Sequence, residues 1–230
     1  MDVKVLRNFT NLQTKFMYLV RLKDIALSAQ KSDIVANESL FGQDLVILTK
    51  STTIPEIGRE TVKYRFLNRS ISIPAGYTFE HSWSFRITMP QNSEVYNAIA
   101  KWYYEIEKVG NEYKLNDKST SKNFLTDAIV QLMTLDGSKV TYIYYLVNVF
   151  PVKVPSIDEL NYDDTSGHIE LELSFSVDYV FHGRVVSYGD DGKPNEIKWV
   201  EDGYANIPYD FNFNMNDIIS GTEIFKLTNR

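Results

Sequence analysis

Few of the 230 residues could do chemistry, and none is spaced for it. His81, His168 and His182 form no His-x-His or His-x-x-x-His pair, so no zinc pattern exists. Cysteine is absent, which removes disulfides, thiolate metal sites and a cysteine nucleophile together. No Gly-x-Ser-x-Gly elbow occurs. "GDDGK" at 189–193 lacks the spacing and following Ser/Thr of a phosphate loop and reads as an Asp-Gly turn. Asp158, Glu159, Asp163 and Asp164 crowd one stretch but match no calcium loop, so they read as solvated loop charge. Glu170 and Glu172 share a strand face, as a catalytic acid pair would. Same-face carboxylates on a clean amphipathic strand are more often plain wet-face charge. The expectation is a protein that is not an enzyme and needs neither cofactor nor metal.

The elements that carry these residues are mostly strands. In "GHIELELSFSVDYVF" (167–181) the residues Ile169, Leu171, Leu173, Phe175, Val177, Tyr179 and Phe181 fall on one face. His168, Glu170, Glu172, Ser174, Ser176 and Asp178 fall on the other, and Val180 alone breaks the alternation. A period of two predicts one core face and one wet face. "YTFEHSWSFRITM" (77–89) alternates in the same way, with Ser82, Ser84, Arg86 and Thr88 on its wet side. Val140 to Phe150 is apolar on both faces, so it is covered on both sides by its own chain or by a neighbouring subunit. "TVKYRFLNRSISI" (61–73) slips phase, which predicts a bulge or bend near 68–70, and "PAGY" (74–77) reads as a turn. Residues 51–60 read as a loop. Asp136-Gly137 between two apolar runs predicts a hairpin.

The period changes once. Val95, Ile99, Trp102, Ile106 and Val109 step by four, three, four, three, which predicts one helix from about 93 to 109, ended by Gly110. Many strands and one helix predict a mainly β fold, a β-barrel or two packed antiparallel sheets with that helix on the flank. The texture changes after Gly183, so residues 1–182 are expected to form the main domain and 183–230 an extension.

Composition narrows the partners. The net charge is −6 and the pI about 5.2, which is no footprint for a nucleic-acid binder. Aromatic residues make up 13%, a share that suits strands and interfaces. The opening "MDVKVLRNFT" lacks a signal-peptide pattern, and no apolar run approaches the roughly 18–20 residues of a membrane span. A cytoplasm-like compartment with no membrane anchor is expected.

The order of several motifs resembles the tail tube proteins of contractile-tailed bacteriophages, over roughly 60–182. A Leu-x-Asp-Gly hairpin leads to an aromatic strand. Then come Asn148, Phe150, Pro151, Val152 and Lys153, a polar loop with Asp158, Leu160 and Asn161, and a strand of alternating Glu and Leu. Upstream, "RSISIPAGYTFEHSWSFRITM" precedes a helix bearing "KWYYEI". The chain departs from the family in its reduced glycine content before the central strand, in Phe150 where Trp is commoner, and in the stretch after 183.

The resemblance implies six copies in a ring, with strands joining one continuous inner β-barrel, and rings stacking into a hollow tube. The sheath would contract around that tube, drive it into the host, and let the genome pass. Implied partners are further copies of the chain, the tail sheath protein, baseplate and tail-terminator proteins, and DNA in transit. The implied location is the virion tail, assembled in the host cytoplasm. On this reading Glu170, Glu172, Ser174, Ser176 and Asp178 are expected to line the lumen as an acidic wall that DNA does not stick to, with the wet face of 77–89 as a rival or companion. Tyr142, Tyr144, Tyr145, Val147 and Phe150 are expected at the subunit interface. The stretch 31–60 is expected to reach the adjacent ring, and 183–230 to dock on its own barrel or a neighbour. The same barrel would serve a secretion or extracellular injection machine, a non-contractile tail, or a baseplate tube initiator. A monomeric carbohydrate-binding β-sandwich is the reading from another class. Trp83 and Trp102 on predicted core faces weaken it, and only Trp199 falls in irregular sequence.

Overall fold

The computed structural model describes residues 18–23, 49–89, 94–111, 125–134, 137–157, 168–189, 193–200, 213–215 and 218. The acidic stretch 158–164 and residues 31–48 lie outside them. The strands are β1 (Tyr18–Leu22), β2 (Thr49–Thr52), β3 (Ile57–Phe66), β4 (Arg69–Phe79), β5 (Ser82–Thr88), β6 (Thr126–Met133), β7 (Val140–Pro151), β8 (Ser156–Ile157), β9 (Glu170–Ser176), β10 (Tyr179–Tyr188) and β11 (Pro194–Trp199). The described helix, α1, is Glu94–Asn111 and continues one residue past Gly110. The fold is mainly β: antiparallel strands in two layers, with α1 beside them.

One layer runs β1-β6-β7-β10-β11 and the other runs β2-β5-β9, with β8 and the end of β7 on the far edge of β9. Val20, Leu22, Ala128, Val130, Leu146 and Val180 of the first layer pack with Trp83, Phe85, Ile87, Leu171, Leu173 and Phe175 of the second. The helical stripe Val95, Ile99 and Trp102 joins the same core. Phe85 stacks on Phe175 at 5.4 Å, and Trp102 reaches Phe175 at 6.0 Å, so one aromatic ring ties helix to sheet.

A second core lies on the opposite face of the first layer. There Ile129, Ile143, Tyr145, Val147, Phe181 and Val185 are joined by Trp199, Phe213, Met215 and Ile218. Strand β7 is therefore apolar on both faces because its own chain covers both. Trp199, expected in irregular sequence, ends β11. Its ring lies on Gly183, where an added Cβ would come within 2.7 Å of it. The boundary expected at 182/183 falls inside β10.

Both long strands bend where they pass between layers. The strand expected over 167–181 is two, β9 and β10, separated at Val177 and Asp178. Strand β7 pairs with β10 through residues 142–147 and with β9 through Phe150 and Pro151. Between these, Asn148 takes a left-handed φ of 55° in a bulge, where Thr126 faces Val149 but Ala128 faces Leu146. Asp127 accepts the Asn148 backbone N–H at 3.2 Å and the Tyr145 hydroxyl at 2.6 Å. Asn148 Nδ2 donates to Asp178 Oδ2 at 2.8 Å, the Asp178 N–H reaches the Val147 carbonyl at 3.1 Å, and Lys23 Nζ donates to Tyr145 at 3.2 Å.

The phase slip in 61–73 is a hairpin turn, not a bulge. Leu67 and Asn68 both have positive φ (44° and 62°), as a two-residue primed turn requires, and Phe66 faces Arg69 across it. "PAGY" is not a turn but lies within β4, and the strand expected over 77–89 breaks at Glu80 and His81. Residues 51–60 are not one loop: they hold the end of β2 and the start of β3.

Removing the Asp127 carboxylate leaves two donors without their acceptor. Asp127→Ala is expected to cost roughly 2–4 kcal/mol in urea unfolding of the subunit. Asn148→Gly should cost clearly less than Asn148→Val, because a β-branched residue resists φ near 55°. Equal losses for Gly and Val would refute the account of the bulge.

Candidate functional site

The two wet faces read separately from the sequence are one surface. Strand β5 pairs antiparallel with β9, and the register sets Ser82 against Ser176, Ser84 against Ser174, Arg86 against Glu172 and Thr88 against Glu170. The alternate residues of both strands point into the aromatic core. One end of the face is rich in hydroxyls, where Thr53 Oγ1 lies 3.3 Å from Ser84 Oγ and Ser82 donates to Glu80 at 2.7 Å. The other end is charged.

The face is not the acidic wall the sequence suggests, because basic side chains from other segments sit on its carboxylates. Lys50 Nζ lies 2.5 Å from Glu170, Lys153 Nζ 3.1 Å from Glu172, and Arg86 3.6 Å from Glu172. Lys50 reaches across β5 to β9 because β2 carries an irregularity: Thr49 faces Ile87 and Ser51 faces Arg86, leaving Lys50 as the extra residue. The hydrogen bond from Lys50 holds the Glu170 carboxyl below its ordinary range. The hydrogen bond from Lys153, reinforced by its charge and that of Arg86, does the same for Glu172.

Glu170, Glu172, Ser174 and Ser176 thus share the face with Ser82, Ser84, Arg86 and Thr88. Asp178 does not join them. It sits at the corner between layers, held by Asn148. Of the residues expected at a subunit interface, Tyr145 and Val147 are buried in the second core of their own chain. Tyr142, Tyr144 and Phe150 are half-buried. Tyr142 lies 5.1 Å from Tyr144, whose hydroxyl burial pushes to a higher pKa. Lys50 and Lys153 escaped the sequence reading because only the register shows where they land. Among the described residues no three His, Cys, Asp or Glu are grouped to hold a metal, and no helix is long and apolar enough to cross a membrane.

The second exposed feature is the β3–β4 hairpin, a separate two-stranded sheet with every β3 residue exposed. Its register sets Val62 opposite Ile73 and Tyr64 opposite Ile71, with Phe66 at the end, so all five share one face. Lys63 with Ser72, and Arg65 with Ser70, share the other. The hairpin is an amphipathic arm whose apolar face is bare: Tyr64 is 57% exposed, Phe66 66%, and Leu67 at the tip 83%.

A family model for phage tail tube proteins matches residues 11–182. No curated protein matches the chain. Among solved structures, the chain is similar to one from the PVC extracellular contractile injection system sheath-tube complex in its extended state, with 14% identity, a TM-score of 0.48, 80% of this chain covered and 100% of that one. It is also similar to a chain of the anti-feeding prophage baseplate (9% identity, TM-score 0.48, 75% and 96% covered). A third is Hcp1 from Salmonella typhimurium (10% identity, TM-score 0.36, 75% and 90% covered).

The lowered carboxyl pKa values give the pH effect its sign. Glu170 and Glu172 titrate lower in the folded than in the unfolded chain. Their stabilisation is fully present above the unfolded value of about 4.5 and is lost as pH falls through the folded values. Glu170→Gln/Glu172→Gln should lower stability slightly at neutral pH, as exposed pairs do. It should change nothing once both carboxyls are protonated. Denaturant midpoints measured from about pH 7 to pH 3 should fall less steeply for the variant than for the parent.

Proposed function

The chain belongs to the phage tail tube protein family, and from that premise we propose that it forms stacked rings of six subunits that make the tail tube. The family is structural, and its members are tail components. The tube would be assembled in the host cytoplasm and carried in the virion tail. It would be driven into the host by sheath contraction and would conduct the genome. Its partners would be further copies of the chain, the sheath protein, baseplate and terminator proteins, and DNA in transit. Residues 183–230 would dock on the outer side, continuing the second core.

The observation that carries this reading is the arm. A two-stranded ribbon is marginal alone in water, and its stability depends on covering its apolar face. Leu67 breaks two local rules at once, a bulky apolar residue at positive φ and 83% exposed. Such violations belong where a contact outside the chain repays them. The charge balance points to another copy as that contact. The arm (57–79) carries Arg59, Lys63, Arg65 and Arg69 against Glu60, a net +3, and the rest of a chain of net −6 therefore carries −9. A repeated head-to-tail contact of this kind builds rings or open stacks.

Negative-stain electron microscopy and sedimentation of the purified protein test the assembly. Rings or tubes are expected, and a monomer at every concentration would overturn the reading. Leu67→Asn suits the turn better than leucine and should leave subunit unfolding unchanged or slightly improved. Phe66→Ser should likewise spare the fold. Each loses an apolar contact of about 1.5–3 kcal/mol, so the concentration needed for assembly should rise by roughly 10- to 100-fold. Normal tubes from Phe66→Ser/Leu67→Asn would remove the arm from the contact.

A further inference from the structure

The polar face of β2, β5 and β9 holds more cations than a surface built only to repel DNA requires. Lys50, Arg86 and Lys153 are all about half exposed, with side-chain accessibilities of 44%, 48% and 46%. They come from three separate segments and converge on two neighbouring carboxylates of β9. Three basic groups per subunit on one sheet face, repeated around rings, would bind a polyanion by releasing its counterions. Counting Glu80, bonded to Ser82 at the hydroxyl end, the face carries three cations and three carboxylates.

We propose that Glu170 and Glu172 act as a charge mask: by pairing with Lys50, Arg86 and Lys153 they keep this sheet face from capturing duplex DNA. The inference rests on the tube reading, in which DNA passes the assembled subunits. The mask works because its partners are adjacent: the ion pairs span 2.5–3.6 Å, inside the ~8 Å screening length of physiological salt. A carboxylate held on the adjacent strand is also present at high effective concentration, and a passing phosphate must displace it. The serine end, Ser82, Ser84, Ser174 and Ser176, adds neutral hydroxyls, with the Glu80 carboxylate bonded to Ser82. The face is therefore slippery through balance, where a purely acidic wall would act through repulsion.

The test is DNA binding by Glu170→Gln/Glu172→Gln, which keeps side-chain volume and removes the two carboxylates that Lys50, Arg86 and Lys153 face. A short fluorescent DNA duplex is titrated into unassembled subunits, where the face is open, and into assembled tubes. The parent should bind weakly in both. The variant should bind at least ~10-fold tighter at about 50 mM salt and lose that gain toward 200 mM. Adding Lys50→Gln, Arg86→Gln and Lys153→Gln to the variant should restore the weak binding of the parent. Variant subunits that bind DNA no tighter than the parent overturn the mask. Variant subunits that bind tightly but no longer assemble place the face at a subunit contact and overturn its role toward DNA. A parent that never assembles overturns the tube reading, whichever way the subunit titration falls.

Discussion

Two strands have to leave one layer and enter the other at the same place, and the structure depends on how that crossing is held. Strand β7 crosses at Asn148, and the β9–β10 segment crosses at Asp178. A bend in either strand opens backbone donors and acceptors that the ladder no longer satisfies, and an unmet buried group is expensive. Asp127 supplies the missing acceptor for the Asn148 N–H, and its other oxygen takes the Tyr145 hydroxyl. Asn148 in turn fixes Asp178. A residue tolerant of positive φ is needed at the bulge, and asparagine provides that tolerance together with a side-chain donor. Three polar side chains, Asp127, Asn148 and Asp178, thus hold the crossing together.

The crossing also explains the two cores. Before it, Leu171, Leu173, Phe175 and Val177 point between the layers. After it the parity reverses, so that Val180 joins that core while Phe181 points to the other side. The other side of β7 and β10 would be a large apolar surface were it not for β11 and Phe213, Met215 and Ile218. Trp199 and Phe213 meet at 5.1 Å over this face, and Phe213 meets Tyr145 at 5.4 Å. One aromatic residue, Tyr145, therefore serves both purposes: its ring builds the second core and its hydroxyl anchors the crossing.

Patterns of period two and 3.6 were readable wherever one element buries one face. The stripe of α1 through Val95, Ile99 and Trp102 and the alternation in β5 and β9 gave the right core residues because burial alone decides them, whereas Ile169, expected on the same core face just before β9, is exposed. Both errors of continuity left a mark in the sequence. Val180, the single exception in an otherwise alternating run, is the residue at which the chain has changed layers. The slip between Val62, Tyr64, Phe66 and Ile71, Ile73 is what a two-residue turn must produce. Residues facing one another across it sum to an odd number, so one face changes parity. A bulge explains the same slip locally, and only the cross-strand pairing separates the two. The charge on the polar face was only partly readable: Glu170, Glu172 and Arg86 fall on the expected wet faces, but the lysines do not announce themselves. Glu170 and Glu172 are near neighbours in sequence, but Lys50 and Lys153 reach them through a strand irregularity and a register that no local pattern encodes. The apolar run of β7 was correctly left open between its own chain and a neighbour, because period alone does not say what supplies the cover.

Among the described residues, exposed large apolar side chains outside the arm, such as Tyr104, Val186 and Val200, are scattered, whereas those of the arm lie together on one face. Both faces of β7 are buried, the aromatic residues of β5 and β9 are inside, and the carboxylates of the polar face are paired. The bare apolar residues of the arm stand against that background. Their cost cannot be ascribed to a loosely built chain, since the same sequence uses Asp127 to satisfy a single bulge donor. The other face of the arm is ordinary solvent-facing Lys, Arg and Ser. Cross-strand pairs such as Val62 with Ile73 and Tyr64 with Ile71 support the hairpin only modestly, by about 0.2–1 kcal/mol each. Covering that side with another surface adds the larger gain of burial. A chain that neutralises its broad sheet face and leaves its narrow arm apolar divides two properties between two places. In the proposed tube, the first would let a polyanion pass without holding it, and the second would hold a neighbour.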